Sequence, residues 1–134
     1  MRAVVLANQS TINLLNQEFV NVWVLKYELE VMRDKVGLAK MPSLAREIVK
    51  VWKPISPVDS LVISPDLDLI GLQRLHDLVY EKRDDVTAKS NVKPELTRQS
   101  LVDSYRDFLK ASLKGDRPGV NGLADVSARS PANK

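Results

Sequence analysis

His76 is the only histidine in the 134 residues, and Asp77 follows it directly. A serine hydrolase holds an imidazole between a nucleophilic hydroxyl and a carboxylate, and no motif in this chain presents such a serine. His76 therefore reads as a partly exposed structural side chain. Asp59, Asp66 and Asp68 gather on one short stretch. A calcium site needs about six or more oxygen ligands on a shaped loop, and no EF-hand spacing is present. These three read as turn-forming aspartates. Glu28 and Glu30 stand at i and i+2, so they do not share a helix face and do not form an acid–base pair. Cysteine is absent, which excludes disulfides, thiolate metal sites, thiol nucleophiles and CxxC redox chemistry together. No catalytic residue, metal ligand or cofactor is expected, and the chain reads as a non-enzyme.

Charge is the other carrier of function. Twenty Lys and Arg residues against seventeen Asp and Glu leave a net charge of +3, too small an excess to argue for nucleic acid or membrane binding unless it is clustered. The one concentration runs from residue 33 to residue 53, where Arg33, Lys35, Lys40, Arg46, Lys50 and Lys53 face only Asp34 and Glu47. Arg46, Lys50 and Lys53 recur at i, i+4 and i+7, on one helical face. That face suits an acidic partner or a phosphate backbone, but it lacks the interleaved aromatics of a single-strand binder. A solvated helix face is the simpler reading, and nucleic acid is not an expected partner.

The elements that must hold these residues follow from periodicity. Residues 2–7 fit either a short buried strand or the end of a helix. Ser10 reads as the N-cap of a short helix carrying Ile12, Leu14 and Leu15. Phe19 to Leu25 then reads as a strand, with Val20, Val22 and Val24 on one face and Phe19, Trp23 and Leu25 on the other. A strand apolar on both faces belongs inside a covered sheet. Leu25, Leu29 and Met32 predict helix through Lys35, stopped by Gly37. From Pro42 a firmer helix carries Leu44, Ile48, Val51 and Trp52 as one stripe, ended by Pro54.

Pro57 to Ser64 reads as a strand, Ser64 to Asp68 as a turn, and Leu69 to Leu72 as the return strand of an antiparallel hairpin. Leu75 to Tyr80 fits a helical turn, and Lys82 to Lys93 a charged surface loop. The best helix lies between about Pro94 and Lys114, with Leu101, Val102, Tyr105, Phe108, Leu109 and Leu113 as its apolar face and Gly115 as its stop. Residues 1–114 make one domain, and residues 115–134 a flexible tail rich in glycine and proline. The apolar start at Ala3–Ala7 is shorter than the roughly 7–15 residues of a secretory signal, and no run approaches the ~20 residues of a membrane span. The expectation is a soluble, cytoplasmic protein without a membrane partner.

In order, these motifs resemble a known family. Arg2-Ala3-Val4-Val5-Leu6, the Leu14-Leu15-Asn16-Gln17-Glu18-Phe19-Val20 turn, Trp23, the proline-led Ser56–Asp66 hairpin and Tyr105-Arg106-Asp107-Phe108-Leu109-Lys110 are similar to the C-terminal thioredoxin-like region of selenoprotein N and its bacterial relatives. The match spans roughly residues 2–115. It implies an α/β, incomplete thioredoxin-like fold of order helix, strand, helix, hairpin, helix. Two departures matter. The chain starts where the family's redox motif would have ended, and the strand that precedes that motif is missing. Thiol–disulfide exchange needs an attacking thiolate, so the family's activity does not transfer.

The missing strand leaves three repairs open: residues 3–7 replace it, its neighbours at Phe19–Leu25 and Val58–Ser64 pair directly, or a second chain covers the gap. A homodimer is expected, because exposed apolar surface needs a cover. By resemblance Ser56–Pro57 is a candidate cis bond, with Pro57, Val58 and Trp23 as a candidate binding edge. The expected function is a redox-inactive interaction or scaffold module. The alternatives are a basic adaptor using Arg46, Lys50 and Lys53, and a fragment of a thiol or selenol oxidoreductase.

Overall fold

In the computed structural model, residues 5–52, 59–80 and 91–120 are described. The hairpin organises them. Strand β1 (Asp59–Ile63) runs antiparallel to β2 (Leu69–Arg74), as the Pro- and Asp-containing turn between them predicts. Ser64 closes that turn twice: its N–H donates to the Asp68 carbonyl at 2.8 Å, and its Oγ accepts from the Asp68 N–H at 3.1 Å. Val62 pairs with Gly71, but Ile63 pairs with Leu69. Ile70 is thus the extra residue of a bulge, which shifts the pairing by one residue between Val62 and Ile63.

Alternation along β1 sends its side chains to opposite faces. Val62 enters a first core with Val5, Leu78, Leu101, Tyr105, Phe108 and Leu109. Its neighbours Leu61 and Ile63 pack against a second core of Leu29, Met41 and Ile48. A two-stranded ribbon is only marginally stable alone. Here helices cover both of its faces.

The first face is covered by the long C-terminal helix, Arg98–Lys114. Thr97 caps it with a reciprocal box, its hydroxyl accepting from the Ser100 N–H while the Ser100 hydroxyl accepts from the Thr97 N–H. The predicted apolar face is the buried one, except that Leu113 points to solvent and Ser112 takes the inner position. The Ser112 hydroxyl donates back to the Phe108 carbonyl at 2.9 Å, so burying it leaves no unpaired donor. Gly71 makes this close approach possible: a Cβ there would overlap Ser112 Oγ and press on the Phe108 ring.

Four shorter helices complete the described chain. We number the helices α1 (Gln9–Glu18), α2 (Lys26–Val36), α3 (Ser43–Val51), α4 (Leu75–Val79) and α5 (Arg98–Lys114). Asn8, not Ser10, caps α1, accepting from the Thr11 N–H at 3.2 Å. Asn is as good a cap as Ser, and capping one position earlier than Gln9 places Ser10 inside the first turn. Val5 and Leu6 are helical, with Val5 in the first core. They do not replace a missing strand.

Helix α2 ends at Gly37 as predicted, and a single 3-10 turn, Leu38–Lys40, leads to buried Met41. On α3 the inward row is Ala45, Ile48, Val49 and Trp52, while Leu44 is exposed. The row is rotated by one residue from the predicted stripe. Trp52 anchors it, its indole N–H donating to an Asp59 carboxylate oxygen at 2.9 Å and tying α3 to the start of β1.

The largest difference lies at Phe19–Leu25, which is not a strand. A strand needs a neighbour to satisfy its backbone, and the one β-ladder in the described chain joins β1 to β2. The stretch instead connects the cores. Phe19 packs against the first and Val24 against the second, with the residues between them exposed. The described residues therefore form a mixed helix and strand fold with a two-stranded antiparallel sheet, and the expected second core strand is absent from them.

The start of the tail is also bonded. The Leu72 N–H donates to the Pro118 carbonyl at 2.9 Å, and the Arg117 guanidinium donates to the Leu69 carbonyl at 3.2 Å. Residues 116–120 thereby line the outer edge of β2. Gly119, at φ +76°, lies so close to the Leu72 carbonyl that a side chain would overlap it. The expected loop at 82–93 is described only at its end, where Lys93 N–H donates to the Val79 carbonyl and Val92 bridges Tyr80.

Candidate functional site

The feature that stands out is apolar surface in one stretch of chain. Val20 is 95% exposed, Val22, Trp23 and Leu25 are each 64% exposed, and Tyr27 is 74% exposed. Single exposed apolar residues are ordinary, but contiguous ones are not. The backbone is extended at both ends of the stretch, with φ/ψ of −133°/151° at Phe19 and −94°/130° at Leu25. Among the described residues, no hydrogen bond reaches the backbone of Val20 or Val22. Asn21 steadies the start, its side-chain amide donating to the Leu15 carbonyl at 3.2 Å.

Helix α2 carries the apolar surface onward. Leu29 takes the inward position, which leaves Tyr27, Val31, Met32 and Val36 on the other sides. With Glu28 and Lys35 they line an open depression of about 360 Å³. Sequence reasoning assigned Leu25, Leu29 and Met32 to a single stripe. The signal it passed over is that Tyr27 and Val31 fall outside that stripe, so α2 has more apolar surface than one core contact can cover.

The predicted site residues are scattered. Of the binding edge, Trp23 is exposed within the apolar stretch, whereas Pro57 and Val58, and with them the Ser56–Pro57 bond, lie outside the described residues. Of the basic face, Arg46 donates to the Ala39 carbonyl at 3.2 Å and to Ser43 Oγ at 3.5 Å. Lys50 pairs with Glu47 at 3.3 Å, and Lys53 lies outside the described residues. Arg46 therefore holds the turn before α3, and the Lys50 charge is locally matched.

Of the three aspartates expected to form turns, Asp66 and Asp68 lie in the hairpin turn, where the Asp68 backbone N–H donates to Ser64 Oγ, whereas Asp59 lies on β1 and its carboxylate accepts from Trp52. No group of metal-ligating side chains exists among the described residues. Glu30 pairs with Lys26 at 3.3 Å. His76 is exposed and stacks on Tyr80, with ring centres 4.6 Å apart. The one hydroxyl clearly shifted by its surroundings is that of Tyr105, which burial pushes above its usual value while a 3.0 Å hydrogen bond with Ser60 Oγ pulls the other way. It sits between α5 and β1.

No helix among the described residues is long and apolar enough to cross a membrane. Comparison with family models, with curated proteins and with solved structures finds no match for this chain.

Proposed function

We propose that this protein is a non-catalytic interaction module that works through the apolar surface of residues 20–27 and the outer side of α2. The observation that carries this reading is the run from Val20 to Tyr27, in which four apolar side chains besides Val20 itself are more than half exposed. Exposed apolar residues gathered in one stretch mark an interaction site more often than ones scattered singly. A chain without cysteine also has no thiolate with which to carry out the exchange chemistry suggested by its sequence resemblance.

The basic-adaptor reading draws less support, because Arg46 and Lys50 are engaged within their own helix and turn. The test is the native mass of the chain in extracts of cells that produce it. The 15.0 kDa chain is expected to elute within a larger assembly, and Val20→Lys combined with Tyr27→Lys to release it at its own mass. Elution at its own mass without substitution overturns the reading.

A further inference from the structure

We propose that the occupant of this surface is a second copy of the same chain, paired antiparallel along Phe19–Leu25 with Val22 on the twofold axis; the inference rests on the interaction-module reading above. The stretch has the composition of a strand, with three valines, a phenylalanine and a tryptophan in seven residues, and it lacks a strand neighbour among the described residues. Its ends are already extended and anchored in two different cores by Phe19 and Val24. Pairing it with another strand therefore orders little that is not already ordered.

Three features choose a copy of this chain over a different partner. A two-fold axis at Val22 sets Val20 opposite Val24, Phe19 opposite Leu25 and Asn21 opposite Trp23, so the three valines of each strand meet on one face, and Phe19, Asn21, Trp23 and Leu25 lie on the other. Charge agrees with this register. No charged residue lies between Glu18 and Lys26, and the same axis brings Glu18 toward Lys26 of the partner subunit, twice by symmetry. Lys26 is now held only by an i,i+4 pair with Glu30 that is about half exposed, a contact that exchanges readily. Apolar surface is also available beyond the stretch, where Tyr27, Met32 and Val36 of α2 are exposed.

Purified full-length protein is expected to sediment as a dimer in the micromolar range. Val22→Lys sets two ammonium groups face to face on the axis and is expected to weaken the dimer about a hundredfold or more, with the far-ultraviolet circular dichroism unchanged. Val22→Cys introduces the only thiol in the chain and is expected to yield a disulfide-linked dimer on mild oxidation. Asp103→Cys, exposed on α5, is expected to yield none. A wild-type monomer, a Val22→Lys dimer of undiminished affinity, or failure of Val22→Cys to cross-link each overturns the proposal. A purified monomer whose larger assembly in extracts is still lost with Val20→Lys and Tyr27→Lys removes the second copy as occupant and leaves the interaction-module reading standing.

Discussion

Thr11 is wholly buried, and its hydroxyl has no hydrogen-bond partner. A buried unpaired hydroxyl costs about 1–3 kcal/mol. Thr11→Val keeps the shape and removes that cost, so denaturant unfolding at constant slope is expected to show a gain of about 1 kcal/mol. Tyr105 is the opposite case, a buried hydroxyl with a partner in Ser60. Because burial raises its folded pKa above 10.0, the native state keeps the phenolic proton where the unfolded chain loses it. The associated stability is complete below pH 10 and is lost as pH rises from there through the raised value. Tyr105→Phe is expected to cost about 1 kcal/mol near neutrality and to flatten the alkaline decline. Equal declines in denaturation midpoint for the two proteins above pH 10 would refute this assignment. Sequence placed Tyr105 on the buried side of a helix. It had no means of naming Ser60, which lies 45 residues away.

At the scale of elements, the readable parts were those with their own start and stop signals. Helix α5 has its cap at Thr97 and its left-handed stop at Gly115, and the hairpin has a Pro-Asp turn between two short apolar runs. Phe19–Leu25 has a strand's composition and none of its context. Strand formation is a property of a pair, and the neighbour that alternation presupposed does not exist in the described chain. The hairpin also depends on one contact that composition does not announce. Gly71→Ala forces a methyl group into Ser112 and Phe108, and overpacking of that kind costs about 1–3 kcal/mol. Thermal unfolding is expected at a correspondingly lower midpoint, and Gly71→Ala combined with Ser112→Ala is expected to recover part of the loss.

Across the whole molecule, the ribbon separates two small cores, with Val62 serving one and Leu61 and Ile63 the other. Helix α5 and the N-terminal residues Val5 and Leu6 close the first; α2 and α3 close the second. The stretch from Val20 to Trp23 spans the gap between them and is left in solvent. Trp23 reports directly on its fate. In a Trp52→Phe protein it is the single tryptophan, and its fluorescence is expected to be red-shifted and readily quenched at low concentration. With dimerisation through Phe19–Leu25, raising the protein concentration is expected to shift the emission to the blue. Emission independent of concentration would leave the stretch uncovered by a second copy.

What the sequence determined by itself is local. The stops at Gly37 and Gly115 and the hairpin turn follow from neighbours within a few positions, and the absence of cysteine closes off thiol chemistry in any fold. The tertiary structure decided which apolar residues found a partner. Apolar patterning says that a side chain favours burial; it does not say whether the chain supplies a surface to bury it against. Leu29 and Val24 pack against the second core, whereas Val20, Val22 and Tyr27 stay exposed. That difference turned a presumed core strand into the exposed surface on which the proposed function rests.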